Sequence, residues 1–142
     1  MTDKKLIIFI CSGNTCRSPM AAALFKAGLT DSEQETFEVG SYGIATFGGE
    51  PASNYAVEVM KENGIDISSH RSTPLNRFVL SNAALVICMT KAHADVLINA
   101  GVEPKKLIVF NIPDPFGGTL QDYRACAESI KTELVKVYDR IR

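Results

Sequence analysis

The chain predicts a doubly wound α/β fold of three layers, with a four-stranded parallel sheet flanked by helices. Four short apolar, β-branched runs are spread along the sequence, helical patterns separate them, and no repeat or linker interrupts the alternation. With 142 residues, 46% of them hydrophobic, the chain can bury one substantial core and is too short for two ordinary domains. A single domain over 1–142 is therefore expected.

The first strand is expected over 6–10, the run Leu6-Ile7-Ile8-Phe9-Ile10. A helix over 19–29 follows the segment Cys11-Ser12-Gly13-Asn14-Thr15-Cys16-Arg17-Ser18, with Ser18 suited to the N-cap and Pro19 to the first helical position. Further strands are expected over 37–39, 84–89 and 107–110. Helices are expected over 52–63, stopping before Gly64, and over 91–100, stopping before Gly101, with a short helical turn over 75–80. From residue 120 onward Leu120, Tyr123, Ala127, Ile130, Leu134, Val137 and Ile141 recur at intervals of three and four, so the last helix carries one apolar face for core packing.

Several classes are argued against by composition. Net charge is −1 and the charged residues are dispersed, which offers no footprint for nucleic acid or an anionic membrane. The apolar N-terminal run is too short for a signal-peptide core or a membrane span, so a cytoplasmic protein is expected, and the expected unit is a monomer. Cys88 and Cys126 lie in regularly patterned apolar segments and read as small buried hydrophobes. Neither His70 nor His93 belongs to a paired ligand motif, so no metal and no cofactor is expected, and His93 reads as a solvated helix residue.

Chemistry concentrates in residues 11–18. Backbone N–H groups at a helix start are unpaired and sit at the positive end of the helix dipole, so a loop delivered there by a strand can wrap an oxyanion. Gly13 is expected to supply backbone geometry closed to other residues, and Asn14 is among the few non-glycine residues that tolerate left-handed angles. Together they would turn consecutive N–H groups inward as a nest. Cys11 would face the anion as a thiolate, the reactive form of cysteine, with Arg17 at the rim. Asp114 follows the fourth strand, and in this architecture ligands bind beyond the carboxyl ends of strands, so Cys11 and Asp114 should meet at one edge. Taken alone, Asp114-Pro115-Phe116-Gly117-Gly118 is ordinary turn chemistry.

On these residues the chain resembles the low-molecular-weight protein tyrosine phosphatases, whose signature is Cys, five residues, Arg, Ser near the N-terminus, with Gly-Asn inside the loop and Asp-Pro far downstream. The resemblance implies that Cys11 attacks phosphorus to form a cysteinyl-phosphate, that Arg17 clamps the phosphoryl oxygens with the loop amides of Ser12 to Cys16, and that Ser18 hydrogen-bonds the thiolate. It implies further that Asp114 exchanges protons with leaving group and water, that Asn14, Ser41 and His70 hold the loop in shape, and that Cys16 captures an oxidised Cys11 as a disulfide. Phe116 would lie at the mouth beside a planar side chain of a phosphorylated protein substrate.

Within that family the loop position of Thr15 is commonly Ile in tyrosine phosphatases and Thr in bacterial protein arginine phosphatases, which also share the run Asp-Pro-Phe-Gly-Gly. The resemblance thus leans toward phosphoarginine over phosphotyrosine. Arsenate reductases share the scaffold, but need a third cysteine a few residues after the position near Cys88, and 89–100 contains none. A phosphocarrier would need neither Arg17 nor Asp114, and intact Cys11, Arg17 and Asp114 argue against a module that binds phosphoproteins without turnover.

Overall fold

β1 (Lys5–Cys11) is the axis around which the molecule is built, because its side chains alternate between two separate apolar cores. Ile7, Phe9 and Cys11 face one core; Ile8 and Ile10 face the other. A strand buried on both faces must be apolar at every position, which is why residues 6–10 show no polar alternation. The computed structural model describes residues 3–142. Along them β1 is followed by α1 (Arg17–Ala27), α2 (Asp31–Thr36), β2 (Phe37–Gly43), α3 (Asn54–Glu62), α4 (Arg77–Asn82), β3 (Ala83–Cys88), α5 (Lys91–Asn99), a 3-10 turn (Pro104–Lys106), β4 (Leu107–Val109) and α6 (Leu120–Ile141).

All strand pairs are parallel, and the sheet order is β2-β1-β3-β4. The chain therefore leaves β1 toward one neighbour and later returns to pair on its other side, so the strand order reverses beside β1. Such a reversal opens a crevice beyond the carboxyl ends of the strands. Residues of α1, α3 and α6 cover the face of Ile7 and Phe9, while Ala94 and Leu97 of α5 cover the face of Ile8 and Ile10. Phe9 sits between Phe25 and Phe110, with ring centroids 5.5 and 6.5 Å away.

The doubly wound layer structure, its four parallel strands and the apolar stripe of α6 match the expectation; Tyr123, Ala127, Ile130, Leu134 and Val137 are all buried. α6 lies alongside α1 and α3, bridged to α3 by a bidentate Arg124–Glu62 pair. Boundaries shift for local reasons. α1 starts at Arg17 rather than 19, with Cys16 at the N-cap and no side-chain cap, so Ser18 is not the cap and Pro19 is not the first helical residue. β2 runs four residues beyond 39, through Gly40-Ser41-Tyr42-Gly43, because pairing with β1 satisfies its backbone without help from apolar side chains. The short helix falls at Arg77–Asn82, one turn-residue pair later than 75–80, since Asn76 caps it by accepting the Val79 N–H at 2.8 Å.

α2 has no buried residue and no apolar stripe, so hydrophobic periodicity gives no sign of it. A capping box holds it: Thr30 Oγ1 accepts from Glu33 N–H at 3.1 Å and Glu33 Oε1 accepts from Thr30 N–H at 3.0 Å. Arg142 adds a two-pronged contact to the same carboxylate, and together these hydrogen bonds bring the Glu33 carboxyl down to about 2.

Phe9→Ala should lower unfolding free energy by about 3–5 kcal/mol in urea titration, through the cavity left between Phe25 and Phe110. Phe47, fully exposed, provides the contrast: Phe47→Ala should stay within about 0.5 kcal/mol of wild type.

Candidate active site

Beyond the end of β1 the chain turns through residues 12–16 before entering α1, and the carbonyls of Cys11, Ser12, Asn14, Thr15 and Cys16 are each engaged by an N–H group. Cys11 O accepts from Ile44 N–H at 3.1 Å, Ser12 O from Ala45 at 2.9 Å, Thr15 O from Ser53 at 2.9 Å and Cys16 O from Met20 at 3.2 Å. Asn14 O accepts from His70 Nε2 at 2.7 Å, and a carbonyl partner fixes that ring nitrogen as the protonated one. With the oxygens drawn outward, the trans peptide planes aim their N–H groups inward, which is the nest an oxyanion requires.

Asn14 makes the turn possible. It is the one non-glycine residue with positive φ among the described residues, at 56°, and it is fully buried. Its Nδ2 donates to Ser18 Oγ at 2.7 Å and Ser41 Oγ at 3.1 Å, and its Oδ1 accepts from Thr73 N–H at 2.9 Å. Because Ser18 Oγ already accepts from Asn14, its own hydrogen is free for Cys11 Sγ, 2.9 Å away. The sulfur also accepts from Asn14 N–H at 3.3 Å. Both groups can donate to the sulfur.

Arg17 lies buried against the loop, with Nη1 donating to Ile112 O at 3.0 Å and Nη2 3.5 Å from Asp114 Oδ2. Its Nε is buried and has no hydrogen-bond partner among the described residues, so the guanidinium keeps one donor edge unspent next to the loop. Asp114 is 49% exposed and is shaped by its own turn, Oδ1 accepting from Phe116 N–H at 3.0 Å. A cleft of about 470 Å³ is lined by Cys11, Arg17, Thr15, Phe47, Asp114 and Phe116. Cys11 and Asp114, 103 positions apart in sequence, thus share one cleft at the strand ends.

Residues 6–142 match the family model described as low molecular weight phosphotyrosine protein phosphatase. The chain belongs to that family. By class it is a cysteine-dependent phosphoprotein phosphatase. A protein-arginine-phosphatase of Geobacillus stearothermophilus is 36% identical over 96% of this chain and 95% of its own. The solved structure of the arginine phosphatase from that organism aligns with a TM-score of 0.85 and 35% identity, covering 96% of this chain and 92% of the other. A low molecular weight protein tyrosine phosphatase from T. tengcongensis gives a TM-score of 0.86 at 35% identity, over 96% and 99% of the two chains. Arsenate reductase 2 of Staphylococcus haemolyticus is 36% identical over 93% of this chain and 95% of its own.

Around this phosphatase cleft the structure corrects two expectations. Gly13 does not adopt left-handed angles, and a Cβ there would meet only Thr15 Oγ1 at 3.7 Å, so its side chain is not excluded by geometry. The glycine that the loop does require is Gly43, at the end of β2: a Cβ there would fall 2.7 Å from Ser12 O, 2.8 Å from Thr46 Cγ2 and 3.0 Å from Asn14 Cβ. His93 is not a solvated helix residue but is buried, with Nε2 2.9 Å from Ser12 Oγ. Burial, then the nearby Arg17 charge, hold its imidazole below the ordinary range, while Asp114 opposes.

Phe47, lying between Thr46 and two glycines, carried no periodic signal, yet it stands fully exposed at 105% and lines the same cleft as Phe116, itself 74% exposed. Cys16 is buried, its Sγ 3.3 Å from both Ser53 Oγ and Tyr123 OH. Burial and the Cys16 contact push the Tyr123 phenol up to about 12. Cys88 and Cys126 behave as the sequence suggests: both are buried, and desolvation pushes their thiols up to about 11 and about 12. Among the described residues no cluster of three or more His, Cys, Asp or Glu is placed to hold a metal, and no helix is long and apolar enough to cross a membrane.

Gly43→Ala should displace the phosphate loop while leaving the cores intact. The expected result is a fall in kcat/KM on an aryl phosphate of about 100-fold, as misplaced catalytic groups produce. A cooperative thermal transition retained at a lower temperature would show that the loop, not the fold, is what the methyl group strikes.

Proposed function

We propose that the chain is a protein-arginine phosphatase that works through a cysteinyl-phosphate and needs no metal or cofactor. The observation that carries the reading is the loop itself: outward carbonyls, a sulfur held by Ser18 and Asn14, and an arginine with an unspent donor edge. Cys11 Sγ attacks phosphorus, the bond to the substrate nitrogen or oxygen breaks, and Asp114 gives its proton to the departing atom. Asp114, now a carboxylate, takes a proton from water; that water attacks phosphorus, the P–S bond breaks, and phosphate and the thiolate are restored. Arg17 and the amides of Ser12, Gly13, Asn14, Thr15 and Cys16 stabilise the equatorial oxygens throughout, because charge spread over three oxygens is best met by fixed donors. Ser18, Ser41 and His70 act through the loop rather than on substrate.

The choice of phosphoarginine is supported by Thr15, which lines the cleft and carries a hydroxyl of a kind that accepts from a guanidino N–H, and by Phe116 and Phe47, flat faces suited to a planar cation. Relatives named protein-arginine-phosphatase, 36% and 32% identical over 96% of this chain, support the same lean. Arsenate reduction is disfavoured despite relatives of that name: Cys88 is buried with a thiol pushed up to about 11, and 89–100 supplies no further cysteine. The reading extends to a single phosphatase domain over 1–142 acting as a cytoplasmic monomer on phosphorylated protein, supported by the dispersed charge and net charge of −1.

Matched phosphoarginine and phosphotyrosine peptides, with Cys11→Ser as the blank, should differ at least tenfold in kcat/KM in favour of phosphoarginine, about 1.4 kcal/mol at the transition state. The reverse preference makes the protein a tyrosine phosphatase, and phosphate release from neither peptide leaves a binding module.

Cys16 is proposed to protect Cys11 by forming a disulfide with the oxidised sulfur. Wild type should recover activity in thiol after mild peroxide, whereas Cys16→Ser should stay inactive; equal recovery by the variant defeats the role.

A further inference from the structure

His93 reaches the phosphate loop from the β3 side of β1, whereas the Ile44 and Ala45 amides that hold it come from the β2 side. β3 ends at Cys88, paired with Ile10 of β1, so the turn into α5 runs beside the start of the loop. Thr90 caps that helix by accepting the His93 N–H at 3.2 Å, which fixes the first turn and aims the imidazole inward. The side chain is 4% exposed, its Nε2 lies 2.9 Å from Ser12 Oγ, and its Nδ1 is buried without a hydrogen-bond partner among the described residues. An imidazole with one nitrogen unsatisfied is a costly way to fill apolar space, so the contact made by the other nitrogen is what distinguishes it from a leucine or phenylalanine.

We propose that His93 is a positioning residue for the phosphate loop, fixing the Ser12 hydroxyl and through it the Ser12–Gly13 peptide, as His70 fixes the Asn14 carbonyl on the other side. The mechanics follow from the neighbours. Ser12 O is drawn outward by Ala45 N–H, so in a trans peptide the Gly13 N–H points the other way, into the nest. Gly13 is the most permissive link in the loop and has no side chain with which to hold itself. A second restraint on Ser12 removes that freedom. Burial and then the Arg17 charge lower the affinity of the ring for a second proton, against the pull of Asp114, which disfavours a further cation beside Arg17; Lys91 and Asp95, the charged neighbours on its own helix, are exposed.

The inference rests on the phosphatase reading but not on the choice of substrate, so its test uses a small aryl phosphate and inorganic phosphate. His93→Asn, whose shorter amide stops near the position of Nδ1, should weaken inorganic phosphate as a competitive inhibitor about 3- to 10-fold and lower kcat/KM by a similar factor. Ser12→Ala should do the same, and the double variant should be no worse than the poorer single one, since both remove one contact. His93→Gln, whose amide reaches the place of Nε2, should return both values to within about twofold of wild type. Losses that multiply in the double variant overturn the proposal. So does a His93→Asn protein that melts lower yet binds phosphate as wild type does, because that is the behaviour of packing alone. Should His93→Asn fail to fold, Ser12→Ala against His93→Gln still decides: wild-type phosphate affinity in Ser12→Ala overturns the brace. Phosphate affinity is also read by thermal shift, which separates a loop that binds poorly from a protein that binds phosphate well but turns nothing over.

Discussion

Everything at the cleft depends on one residue holding an unfavourable backbone angle. Asn14 sits at φ 56° because its amide and carbonyl are engaged at once by Ser18, Ser41, Thr73 and His70. Left-handed angles disfavour ordinary residues, and asparagine tolerates them because its short polar side chain can bond locally. Here the bonds reach three separate segments of chain, so the strain of the loop is spread across β2, the region after α3, and the start of α1. A phosphate site made of backbone amides has no side chains of its own to keep it open; neighbours must do so.

The sheet order explains why those neighbours are available. With β1 interior, its carboxyl end is flanked by the end of β2, which brings Gly43 and the Ile44 and Ala45 amides, and by the end of β3, which brings His93. β4 lies next to β3, and the chain leaving it delivers Ile112 and Asp114 to Arg17. The cleft is therefore assembled from every strand of the sheet. Two cores on opposite faces of β1 hold these strand ends in register, and so the packing of Phe9 and Ile10 bears on the alignment of groups several residues away.

Much of this was readable from residues alone, and the failures have physical causes. Cys11 and Arg17 were legible from the loop between a strand and a helix start, and Asp114 from its place after the fourth strand, whereas the role of Ser18 beside the sulfur came only through the family resemblance; the structure gathers all four in one place. Ser41 and His70 entered only through the family resemblance, since a serine in a strand and a histidine in a loop carry no pattern. His93 was misread because its burial comes from the loop it touches, 81 positions earlier, and not from its helix. Gly43 went unnoticed, and Gly13 was credited instead, because close approach of two backbones is invisible until the fold is known. The Ile112 carbonyl left no trace at all: every residue has one.

The segment 112–114 supplies both the carbonyl that steadies Arg17 and the carboxylate set beside it. The proposed phosphate clamp and the proposed proton donor are consequently carried by a single lever arm. Lifting this segment would free the guanidinium and carry the Asp114 carboxylate away in the same movement, so the two groups should relax with one characteristic time rather than two.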